Sequence, residues 1–125
     1  MVKINKIQSL IYKKCKSLVV VYDEVPSDNI SFPCIVIGDI KVEKLKTKTE
    51  CNLYNFQLNI FSTYSGKFET NNIVEKLENG LSSLEGSELD KNYYIDNISI
   101  EDCNIFKTEQ CYQGIVNVAI STISL

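Results

Sequence analysis

The chain contains no histidine, no tryptophan and no arginine, and only two prolines. Without histidine, a Ser-His-Asp or Cys-His catalytic site within one chain is excluded, and so is the side chain that ordinarily titrates near neutral pH. Zinc would need an all-cysteine or a carboxylate site. The five cysteines, Cys15, Cys34, Cys51, Cys103 and Cys111, are irregularly spaced and include no CxxC pair. An odd number is also a poor disulfide framework, so they read as free thiols suited to a reducing cytosol, with Cys34 a small hydrophobe inside an apolar run. Without arginine there are no bidentate clamps for phosphate or guanine. No GxxxxGK(S/T) or GxGxxG segment offers a phosphate cradle. No apolar run approaches the roughly 20 residues of a membrane span, and the opening MVKINKIQSLIYKK is too polar for a signal peptide.

What remains is an ordinary globular composition. The chain has 125 residues, 44% hydrophobic and 23% charged, with a formal net charge of −3. That is the size of one domain, 1–125, able to bury a core without metal or disulfides. The mild acidity gives no basic face for nonspecific DNA binding. The acid pairs Asp23-Glu24 and Glu101-Asp102 are adjacent, so on strands they point to opposite faces and do not converge on a substrate. Tyr93-Tyr94 reads as strand packing in preference to base stacking. No enzyme chemistry and no cofactor is expected.

Periodicity orders the elements. Ile4, Ile7, Leu10, Ile11, Cys15 and Leu18 form one helical face, predicting a helix from about Lys3 to Ser17. Leu18 to Tyr22 reads as a short strand, and Cys34 to Val42 as a second, apolar on both faces at its start. Lys41 to Glu50, KVEKLKTKTE, reads as a charged connection. Asn52 to Ser62 alternates, with Tyr54, Phe56, Leu58 and Ile60 on one face. Glu69 to Leu84 switches to helical spacing through Ile73, Leu77, Leu81 and Leu84, with Gly86 as a candidate left-handed cap. Tyr93 to Ile100 and Tyr112 to Ile123 alternate about a polar turn. The order α-β-β-β-α-β-β predicts an α+β fold, a mostly antiparallel sheet with two helices packed on one face.

Both prolines lie in one connection, in the stretch YDEVPSDNISFPCIVIGD from Tyr22 to Asp39. With Val25-Pro26, Phe32-Pro33, Val36, Gly38-Asp39, then Phe61-Ser62-Thr63-Tyr64-Ser65-Gly66, Asp102 and Tyr112-Gln113-Gly114, the chain resembles the tail terminator, or tail completion, proteins of long-tailed bacteriophages. The similarity follows nearly the whole chain in order and spacing. It implies a structural virion protein, assembled in the host cytoplasm. Such proteins form a six-fold ring that caps the tail tube, ends its polymerisation and joins the tail to the head connector. DNA passes through the lumen without specific binding.

A closed ring needs head-to-tail contacts between identical subunits, which exposed strand edges or extended loops supply. Within the charged connection, Lys44, Leu45, Lys46 and Lys48 set one apolar residue among cations and form the candidate interface to a neighbouring subunit or the tube. A solvated hairpin tip and a weak DNA footprint are the other readings of those lysines. Another neck component (connector or stopper) and a small α+β binding module remain the alternatives for the chain as a whole.

Overall fold

The computed structural model describes residues 2–45 and 51–125. Helix α1 (Ile4–Lys16) leads into the short strand β1 (Val20–Tyr22), then the long strands β2 (Cys34–Leu45) and β3 (Cys51–Ser62). Helix α2 (Phe68–Ser82) follows, then the short β4 (Glu88–Asp90) and the long strands β5 (Tyr93–Lys107) and β6 (Tyr112–Ser124). The six strands form one sheet in the order β1-β2-β3-β6-β5-β4. All pairings are antiparallel except β1 with β2, which is parallel.

The α+β architecture expected from periodicity is present, and both helices supply residues to one core on one sheet face. Tyr54, Phe56, Leu58 and Ile60 of β3 are buried beside Val116, Val118 and Ile120 of β6. Ile7, Ile11 and Cys15 of α1 and Ile73, Leu77 and Leu81 of α2 close over them. Gly80 sits inside α2, where glycine costs about 1 kcal/mol relative to alanine. A Cβ there would stand 3.3 Å from Cδ of Lys14, so the glycine lets the two helices approach.

Three expectations need correction. Lys41 to Leu45 is strand, not connection: β2 pairs with β3 as far as Leu45 with Cys51. Half-buried Ile40 and Val42 alternate with exposed Lys41 and with Glu43, a period of two that the charges disguise. The chain also has an extra strand, β4, and β5 runs on to Lys107. Gly86 is left-handed (φ 86°), but it does not close α2. Its N–H donates to the Ile95 carbonyl and turns the chain into β4.

A polar cluster anchors one end of the core. The Tyr93 hydroxyl lies 3.1 Å from that of Tyr54 and 2.7 Å from Oγ1 of Thr122, and accepts from Nδ2 of Asn52 at 2.7 Å. Tyr54 also accepts the Lys3 N–H at 3.0 Å, tying the start of α1 to β3. Burial, then the Tyr93 hydrogen bond, pushes the Tyr54 phenol up to about 12, and burial pushes the Cys15 thiol up to about 12. Raised folded values mean that the native state holds protons the unfolded chain releases, so this stability is present at neutral pH and lost as pH rises toward 12. Urea unfolding at pH 8 to 11 should show stability falling with pH above about 9 to 10, where unfolded thiols and phenols ionise. Tyr54→Phe should flatten the upper part of that decline, and an unchanged slope would refute the assignment.

Candidate functional site

The surfaces available for assembly follow from how the sheet is finished. Residues 23–33 return the chain from β1 to β2 by folding over the face that the helices leave open. There Val25, Pro26, Ile30 and Phe32 stand against Cys34, Val36 and Phe61 of the sheet and enclose an apolar cleft of about 180 Å³. The Ser31 N–H donates to the Tyr22 hydroxyl at 3.0 Å and helps to hold the connection in place. The Phe32–Pro33 peptide bond is cis. This covering explains why Cys34 to Ile37 is buried on both sides: helices lie on one and the proline connection on the other.

The same end of the sheet carries the connection from β3 to α2 and the β5–β6 turn. Ser62 is buried and donates to Oε1 of Glu69 at 2.7 Å, in the first turn of α2, where the helix dipole favours an acid. That contact positions Tyr64 and Phe68, whose ring centroids are 6.4 Å apart. Among the described residues seven large hydrophobics are exposed, and four of them, Val25, Phe32, Tyr64 and Phe68, are at this end. Phe68 is 68% exposed and Val25 61%. Cys111 lines both the apolar cleft and the neighbouring hollow beside Tyr64, so the two groups adjoin.

The residues singled out in the sequence divide between surfaces. Val25, Pro26, Phe32 and Pro33 are brought together at the apolar end. Gly38 and Asp39 instead form a bulge in β2, opposite Gln57, where the register with β3 shifts. A Cβ on Gly38 would lie 2.8 Å from Asn59 Nδ2 and Gln57 Oε1 and 3.3 Å from the Gln57 carbonyl, so any larger residue would push these two amide side chains aside. Lys44 is exposed on β2, opposite Asn52, and Leu45 is the last residue of that strand. Lys46 and Lys48 lie outside the described residues. Phe68 escaped the sequence reading. Its signal was an aromatic residue off the Ile73, Leu77, Leu81 stripe of its own helix.

The rest of the open face mixes a band of amides with Ile115, Ala119 and Phe106. Asn55, Gln57 and Asn59 of β3 lie beside Gln113 and Asn117 of β6, and Asn117 donates to Oδ1 of Asp102 at 2.6 Å. Lys41 is paired with Glu43 at 3.2 Å on the same face. Among the described residues no group of three His, Cys, Asp or Glu side chains converges to hold a metal ion, and no helix is long and apolar enough to cross a membrane.

The sequence profile of the family described as Tail completion protein gp17 matches residues 11–122. The chain belongs to that family. It is a structural protein of the tail or neck of a phage-like virion. Among solved structures, a chain of the virion of a native gene transfer agent (GTA) particle shares the fold, with a TM-score of 0.77 over 98% of each chain at 12% identity. No curated protein matches this tail completion chain.

Proposed function

We propose that this tail completion protein acts by shape alone, as one ring-forming unit of residues 1–125. Copies of it cap the finished tail tube, stop its growth and present a surface to the head connector. Six copies close the ring, and DNA passes through the hole without being bound or modified. The observation that carries the reading is the apolar end. It gathers Val25, Phe32, Tyr64 and Phe68, four of the seven exposed large hydrophobics among the described residues, at one end of the subunit, which suits a face stacked on a cylinder.

The mild negative charge fits a conduit that does not retain a polyanion. A strain lacking the protein should make tail tubes of uncontrolled length that fail to join heads, counted by negative-stain microscopy. Tubes of normal length joined to heads would overturn the proposal. Recovery of the subunit on filled heads, and never on headless tails, would make it a stopper instead.

A further inference from the structure

Each edge of the sheet is only partly capped. β1 covers β2 at Cys34, Ile35 and Val36, which leaves Ile37 to Leu45 without an outer neighbour among the described residues. β4 and residues 85–87 cover the start of β5, and beyond Ile98 its outer edge also has no neighbour among the described residues. Two long unpaired edges on one molecule invite pairing unless something covers them. The strands alternate in direction from β2 through β3 and β6 to β5. A second copy placed with its β5 against β2 therefore continues the antiparallel pattern.

The bare stretches are not at the same height. Lys41 is level with Asn55, Ala119 and Ser99 across the sheet, whereas the bare part of β5 centres on Cys103 and Asn104. Raising the neighbour by four ladder rows, the distance from Ala119 to Ile115 on β6, sets Lys41 against Asn104 and Val42 against Cys103. In that register the neighbour's β5 ends at Lys107, just above the β1 cap. Side-chain parity is kept, because Val42 and Cys103 both belong to the helix-side face through their partners Tyr54 and Val116. Lys44 falls beside Glu101, Lys41 beside Asp102 and Asp39 beside Lys107. Glu43, which faces Asp102, is already held by Lys41.

A stagger of four rows over four strands is about 13 Å along the strands for about 19 Å across them, a tilt of about 35°. Closed barrels tilt their strands by roughly 35–45°. The hand of the tilt says which face is inside. β1 reaches parallel β2 over the open face, and β3 reaches the like-directed β5 through α2 on the other. Right-handed passage in both, the rule for such connections, gives one arrangement: seen from the helix side with β2 pointing up, β2 is on the right and β5 on the left. A neighbour added on the right is raised, and levelling the ring leans the strands to the right. That is the lean of a right-twisted sheet seen from outside a barrel.

We infer that copies of this chain join β2 to β5 with a four-residue stagger. The sheet thereby closes into a continuous barrel with the helices outside and the Asn55, Gln57, Asn117 face lining the channel. The inference rests on the ring reading above and specifies its seam. Its test is cross-linking of the purified full-length chain. Val42→Cys should form an intermolecular disulfide with the native Cys103 under diamide, giving a ladder of linked copies that disappears when Cys103→Ser is added. Cysteine at Lys76, on the outer face of α2, should not link. In the ring, Asn117→Cys should be at least tenfold slower than Lys76→Cys toward a bulky polymer maleimide.

A ring that forms without the 42–103 link, or a chain that stays monomeric up to its solubility limit, overturns the inference. Faster labelling at position 117 than at 76 overturns the inside-outside assignment. Tubes of normal length in the deletion strain would overturn the capping function while leaving a positive cross-link standing, so the two claims fail separately.

Discussion

Tyr93→Phe should lower the free energy of unfolding by about 2–3 kcal/mol, the largest effect expected from removing a single atom of this chain. The Tyr93 oxygen is where the Asn52 amide and the Tyr54 and Thr122 hydroxyls meet, with both tyrosines fully buried. Removing it takes one hydrogen bond from each of these groups at once, in a place water does not reach. Unsatisfied buried groups cost about 1–3 kcal/mol, partly recovered when the survivors re-pair. The contrast is Tyr94→Phe on the adjacent half-buried side chain, expected within about 0.5 kcal/mol. Urea unfolding with an unchanged slope decides the matter. A Tyr93→Phe midpoint equal to that of the parent would show that the cluster contributes nothing net.

The second large effect concerns assembly and not stability. The double variant Val25→Asp, Phe68→Asp should fold with a stability within about 0.5 kcal/mol per site of the parent, because both side chains are mostly in solvent. Yet it should fail to complete tails. Aromatic and aliphatic anchors in an interface are worth about 2 kcal/mol each, roughly 30-fold in affinity per site, and a charge placed there adds desolvation to the loss. The measurement is the yield of joined particles when the variant is supplied to a strain lacking the protein, alongside its unfolding curve. Parental yield would remove the apolar end from the interface and leave the strand edges as the only candidate contact.

How far the sequence went can be judged element by element. α1, β3 and α2 were readable because each meets one apolar face and one solvent face for its whole length, which imposes a clean period. β5 was readable only to Ile100. Register shifts at Asp96 and Glu101 insert residues that reverse which face follows, so the alternation breaks where the strand does not. The second half of β2 was hidden by composition. Lysines and glutamate that mark a solvated loop elsewhere here decorate the outer edge of a strand whose inward residues are only Ile40 and Val42. β4 is three residues long and pairs with no strand but β5 among the described residues, too little for any periodic signal.

The candidate surfaces were visible in part. The proline-bearing motif drew attention to the right connection, but its return across the uncovered face is a tertiary choice with no local signature. The cluster it makes with Tyr64 and Phe68 joins residues more than 30 positions apart.

The proline connection also packs on the opposite side of the sheet from the main core. Lifting it exposes the small apolar cleft over Cys34 and Phe61 and leaves the helices seated. Local opening of this kind needs far less free energy than global unfolding. The end of the molecule that carries the exposed apolar side chains can therefore rearrange while the helix-covered core keeps its packing.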